Sequence, residues 1–394
     1  MMTTRRGLLL QLAAGTTAFA QSTGSLDPLI ESLAVTDPKL SWLQPRFRNL
    51  RSWKKQAQAR YLELLHYRPA AVDPKAQVLS TETRDGLTIE RLTFATTSNI
   101  RVPAYVLKPA NAKGKLPAVI ALHDHGGFYM WGKEKLLRSV TGPENPVLTA
   151  FKQRYYAGRN IAEDLAHDGY LVIAIDMFYW GERRMLMPTD PADWRERPAD
   201  MPKERIDAFN ARCSANEQLV GRSVMSTGAT WAGIMTWDDV RTVDYLISRP
   251  DVDPKRIACT GLSVGAVRAA YLAAADERIK VAMPICWMTS FPDQLRDKVG
   301  NTIGHTKLIP GLYGDLDYPD LASLAMPAAL LVINGGKDGL FAPSGVAKAH
   351  EKLRACYRKA GIADRVECTM YPDAPHEFNA EMQKQAWAFL RKWI

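Results

Sequence analysis

The sequence predicts an α/β fold: a mostly parallel central sheet with helices on both faces. Three observations predict it. From residue 116 to the C-terminus, short apolar runs alternate with stretches of helical periodicity, as crossover connections between parallel strands require. Gly261-Leu262-Ser263-Val264-Gly265 stands between a strand-like run and a helix-like run. Asp338 and His376 follow later strand-like runs in the order Ser, Asp, His. With 394 residues, 46% hydrophobic and 24% charged, the chain can form one large α/β domain with embellishments.

Residues 1–20 read as a bacterial export signal. Thr4-Arg5-Arg6-Gly7 precedes Leu8-Leu9-Leu10, and Ala18-Phe19-Ala20 places cleavage before Gln21. The apolar run is too short for a membrane span, and no later stretch is long enough for one. A periplasmic or secreted bacterial protein is therefore expected. Residues 21–80 are expected to be a helical extension packed on the main domain, with a helix over 51–65; residues 81–394 form that domain. Apolar alternation at 87–94 and 100–107 predicts an antiparallel hairpin.

Strands are predicted at 119–122, 170–176, 257–261, 279–286, 328–334 and 366–371. Helices are predicted at 160–168, 236–249, 266–275, 343–360 and 379–394. Residues 129–159 and 183–230 are too long for simple connections, and suit a lid or a pocket wall. The net charge of +9 is spread along the chain without a basic block interleaved with aromatics, so no nucleic-acid partner is expected. Five cysteines at 213, 259, 286, 356 and 368 form neither a zinc pattern nor a disulfide framework.

A serine in a G-x-S-x-G turn between strand and helix is held on a bend so tight that its neighbours must be small. Its hydroxyl then stands at the sheet edge, at the positive end of a helix. Ser263 is accordingly the candidate nucleophile. Asp338 follows a continuous apolar strand and precedes a proline-started helix, which suits an acid that orients a histidine. His376 lies in the loop after the last strand and is the candidate base; His350 falls inside a helical pattern. His123-Asp124-His125-Gly126-Gly127 ends an early central strand. Backbone N–H groups of His125 and Gly126, with that of Val264, are the expected oxyanion donors. The same His-Asp-His run also offers metal-ligand types, but no further ligand cluster accompanies it, so no metal or other cofactor is expected. Phe128, Tyr179, Trp180 and Trp287 follow strand ends and are the candidate pocket aromatics. Glu182 and Arg183 read as a structural ion pair.

Together these residues resemble the α/β-hydrolase superfamily, in the branch of dienelactone hydrolases and acetyl-xylan-esterase-like enzymes. The resemblance is carried by His123 to Gly127, Asp176 with Gly181-Glu182-Arg183, Arg241 to Tyr245, the Ser263 pentapeptide, Cys286-Trp287-Met288, Gly336-Lys337-Asp338 and His376-Glu377-Phe378. It covers roughly residues 80–394 and implies Ser263, Asp338 and His376 as the triad. Two positions depart from it: Asp124 follows His123 where glycine is usual, and serine stands where dienelactone hydrolases proper carry cysteine. The expected function is hydrolysis of carboxylic esters through an acyl-enzyme, with small-molecule or polysaccharide-linked acyl (acetyl) esters as substrates. A serine peptidase or amidase of the same fold, a non-catalytic binding protein on this scaffold, and a metal-dependent hydrolase are the alternatives.

Overall fold

The computed structural model describes residues 23–140 and 142–394; the expected export signal lies outside them. Nine strands form one sheet in the order β1-β2-β3-β5-β4-β6-β7-β8-β9. These are β1 (Gln77–Arg84), β2 (Leu87–Ala95), β3 (Arg101–Pro109), β4 (Leu116–Leu122), β5 (Leu171–Ile175), β6 (Val252–Leu262), β7 (Ile279–Ile285), β8 (Ala329–Gly335) and β9 (Val366–Tyr371). The first three run antiparallel to one another, and β3 meets β5 antiparallel. The remaining pairs are parallel. Within β4 the side chains alternate between two apolar layers: Ala118, Ile120 and Leu122 join one, Val119 and Ala121 the other. Burial on both faces is what makes these strands read as unbroken apolar runs.

The chain steps outward from β4 to β5 and then crosses back to β6. That reversal opens a crevice at the carboxyl ends of β4 and β6, where ligands bind in folds of this kind. Register places Leu122 beside Gly261, so the His123–Gly127 turn and the Ser263 turn leave the sheet side by side. Gly335 pairs with Tyr371 in the same way, bringing the Asp338 turn against the His376 loop.

The N-terminal extension is two helices, Asp27–Leu33 and Leu50–Leu64, joined by turns. Trp53, Ala57, Tyr61 and Leu64 form the buried face of the second and enter the same apolar layer as the Val264–Ala275 helix. Lys54 Nζ donates to Met326 O at 2.8 Å and Gln58 Nε2 to Ala274 O at 2.7 Å. Strand β1 was not anticipated, and it crosses the expected boundary at 80/81. The 129–159 stretch carries the Pro146–Tyr156 helix, and the 183–230 stretch carries a 24-residue helix, Lys203–Ser226. A third elaboration follows β7: short helices at Phe291–Asp297, Val299–Thr302 and Leu312–Asp315. All five cysteines are free. Among the described residues no helix is long and apolar enough to cross a membrane.

Candidate active site

Ser263 directly follows β6 and caps the Val264–Ala275 helix with φ 59° and ψ −118°. A side chain held at positive φ outside a glycine is strained, and such strain gathers at functional sites. The neighbours explain how the turn is enforced. A Cβ on Gly265 would stand 2.0 Å from Leu122 O, and one on Gly261 would stand 2.3 Å from the same atom. The end of β4 therefore presses directly on the turn, and only glycines permit it. Ser263 N donates to Ile285 O at 2.9 Å, which fixes the turn to β7 as well.

Asp338 is buried after β8. Its Oδ1 accepts from Leu340 N at 3.0 Å, and its Oδ2 lies 2.6 Å from His376 Nδ1. Two glycines let the loop bearing His376 settle on this turn. A Cβ on Gly336 would meet Pro372 O at 2.5 Å, and Gly335 is packed equally close to Ala374 O. Gly336 N donates to Tyr371 O at 2.7 Å and Lys337 N to Ala374 O at 3.0 Å. His350, by contrast, lies on the Pro343–Lys359 helix with Nε2 2.9 Å from Asn334 Oδ1.

The turn after β4 is bolted down by buried polar groups. Met177 N donates to His123 Nε2 at 3.0 Å, so His123 carries its proton on Nδ1, 2.9 Å from Asp124 O. Burial keeps this imidazole neutral, with a pKa well below the ordinary histidine value. Lys135 Nζ donates to Asp124 O at 2.9 Å and to His125 O at 3.1 Å. Tyr156 Oη donates to Asp124 Oδ1. Gly126 and Gly127 both have positive φ, which lets the chain reverse there. The donor atoms of His123, Asp124 and His125 thus point to separate partners and do not converge as metal ligands.

Ser263, Val264, His125, Gly126 and His376 all line one cavity of about 440 Å³. Its far walls come from the two elaborations: Ser214, Glu217 and Gln218 on the Lys203–Ser226 helix, and 302–307 after β7. The candidate pocket aromatics stand one layer behind it. Phe128 stacks on Phe151 at 4.6 Å, Trp180 on Tyr129 at 4.8 Å, and Trp287 packs edge-on to Tyr318 at 4.8 Å. Tyr179 Oη donates to Cys213 O at 2.8 Å. All four are buried, each against apolar neighbours that claim it more fully than an open cavity does. The aromatic lining is Tyr129, Tyr155, Trp231 and Phe341 instead, with His305 stacked on Trp231. Trp231 and His305 each adjoin segments whose sequence gave no strand-end signal.

A buried ionic centre lies behind the turn. Lys133 Nζ reaches Asp176 Oδ2 at 2.6 Å, Glu182 Oε1 at 2.7 Å and Glu134 Oε1 at 3.3 Å. Burial opposes the charge on Lys133, but Asp176, Glu134 and Glu182 outweigh it and raise its pKa. Arg197 pairs with Glu134 and Arg91 with Glu182, so three cations balance three carboxylates. The three carboxylates could group around a cation, and the Lys133 ammonium already fills that place. Glu182 and Arg183 are not a pair with each other: Arg183 bonds Asp238 at 2.7 Å.

Comparison with known proteins agrees with this architecture. The model of the dienelactone hydrolase family matches residues 155–393, and that of an Abhydrolase family matches residues 30–194. YtaP of Bacillus subtilis (strain 168), a hydrolase by name, is 27% identical over 83% of this chain and 94% of its own length. Among solved structures, a Bacteroides fragilis NCTC 9343 protein named as an acetyl xylan esterase superposes with a TM-score of 0.70 at 16% identity, covering 94% of this chain and 95% of the other. A glucuronoyl esterase from Solibacter usitatus superposes with a TM-score of 0.62 at 15% identity, covering 92% and 99%. The fold is that of the α/β-hydrolases.

Proposed function

Because this chain belongs to the dienelactone hydrolase family, we propose that it hydrolyses carboxylic esters through a serine acyl-enzyme, with Ser263, His376 and Asp338 as the triad. One observation carries the reading. Ser263, on its strained turn, shares a cavity with a histidine whose Nδ1 is tied to a buried aspartate at 2.6 Å.

With Nδ1 engaged by Asp338, Nε2 is the ring atom left to take the Ser263 proton. The Oγ then attacks the ester carbonyl carbon. Charge moves to the carbonyl oxygen, where the N–H of Val264, in the first turn of its helix, has no intrahelical partner and is free to donate. His125 and Gly126 amides supply the second donor. His376, now positive beside Asp338, returns the proton to the leaving alcohol, and the acyl group stays on Ser263. Water, deprotonated by the same Nε2, attacks the acyl carbon; the bond from that carbon to Ser263 Oγ breaks, Oγ takes the proton back from Nε2, and the acid is released.

Acyl esters of carbohydrates, acetyl esters first, are the proposed substrates. The cavity wall is rich in hydrogen-bonding side chains, Ser214, Gln218, Thr302 and Thr306 among them, and the similar solved structures are named as esterases of that kind. The expected export signal supports a reaction in the periplasm or outside the cell. Ser263→Ala should lower kcat on p-nitrophenyl acetate by at least about 10⁴-fold. Turnover near that of the unaltered protein would sink the assignment. Release of acetate from acetylated xylan, compared with methyl glucuronate and feruloyl esters, tests the substrate class.

A further inference from the structure

His125 stands on the turn whose amides face the reacting ester, and its ring is held from both sides. Gly127 N donates to Nδ1 at 3.0 Å, so Nδ1 is an acceptor and Nε2 carries the proton. That Nε2–H points to Glu217 Oε1 at 2.8 Å. Tyr129 Oη donates to the same oxygen at 2.7 Å. Burial opposes the Glu217 charge, but the bonds from His125 and Tyr129 outweigh it and keep the carboxylate ionised. Glu217 itself belongs to the Lys203–Ser226 helix, far from the turn in sequence and outside the sheet. Below the turn, buried Lys135 holds His125 O and Trp180 Nε1 donates to it at 3.2 Å. The peptide 125–127 is therefore gripped at its carbonyl by the core and at its side chain by the inserted helix.

We propose that Glu217 is a positioning residue for the ester-hydrolysing reaction: by accepting from His125 Nε2 it sets the 125–127 turn and hence the aim of its amides. The inference rests on the acyl-enzyme reading above. It makes the inserted helix part of the oxyanion apparatus, acting through His125 without contact with the reacting atoms.

The test is a cycle of variants on p-nitrophenyl acetate. Glu217→Ala should lower kcat by about 10-fold to 10²-fold with KM changed less than about 2-fold, since misplaced transition-state groups act on kcat. Glu217→Gln keeps an oxygen for both donors and should restore most of the rate. In a His125→Ala background, Glu217→Ala should cost less than about 2-fold more, because the partner through which it acts is gone. Should Glu217→Ala fail to fold, Glu217→Met, which keeps bulk but no acceptor, carries the same comparison. An equal loss from Glu217→Ala in both backgrounds, no recovery with Gln, or a change confined to KM would each overturn the proposal. Normal ester turnover by Ser263→Ala would instead defeat the catalytic reading itself, so the two failures are distinguishable.

Discussion

Lys133 shows how one side chain can decide a site it never touches. Its ammonium lies between Asp176, Glu182 and Glu134 behind the turn after β4. Removing it leaves three carboxylates with two cations, at least one of them buried and unpaired. Lys133→Met should therefore destabilise the protein by about 3–5 kcal/mol, read as a lowered midpoint of urea unfolding. At this scale the sequence was most informative where backbone geometry dictates residue type. Ser263 is flanked by glycines because Leu122 O leaves no room for a Cβ at 261 or 265, and that compulsion is visible as a motif. Phe128, Tyr179, Trp180 and Trp287 lacked any such compulsion. Their place after a strand end put them near the site, but side-chain direction there depends on distant neighbours such as Phe151 and Tyr318. Glu217 was invisible for the same reason: its partner is 92 residues away in sequence.

Between elements, the contact that matters most is that of the two loops carrying the proposed acid and base. Gly336 lies against Pro372 with no space for a methyl group. Gly336→Ala should push the His376 loop outward, lowering kcat on p-nitrophenyl acetate by about 10²-fold while circular dichroism stays unchanged. Most strands and sheet-covering helices were legible because both faces of the sheet are buried and apolar runs follow directly from that. The Lys203–Ser226 helix was not, because among its 24 residues only Ile206, Phe209, Cys213 and Gly221 are buried, too sparse a stripe to read as helical periodicity. The segment after β7 carries no clear helical signal because its helices are only four to seven residues long. Strand β1 is an edge with Val78 and Leu79 both exposed, so it lacks the alternation that marked β2.

For the whole molecule, buried groups that titrate only on unfolding set the pH range of stability. His350 is pushed down to about 4 by burial, and burial also holds His123 well below the ordinary histidine value of 6.5. Both are neutral when folded, so their contribution is complete above about 6.5 and is lost as pH falls through the folded values. Burial pushes Cys286, Cys356 and Cys368 up to about 12 from 9.0, and Tyr105 up to about 12 from 10.0. That contribution is complete below about 9 and fades as pH rises toward 12. Burial also pushes Lys307 down to about 8 from 10.5, which favours folding as pH rises through that range, one group against these four. Urea midpoints should therefore be nearly level between about pH 6.5 and 9 and fall on both sides; a midpoint still rising at pH 10 would contradict this. The cavity joins two kinds of sequence. The proposed chemistry hangs on strand ends whose glycines leave no room for a side chain, whereas the opposite wall is built from two segments inserted between strands. Those segments carry no residue of the proposed triad or of the 125–127 turn. Changes of side chain along that wall, Glu217 apart, can therefore alter which ester fits while leaving the proposed triad in place.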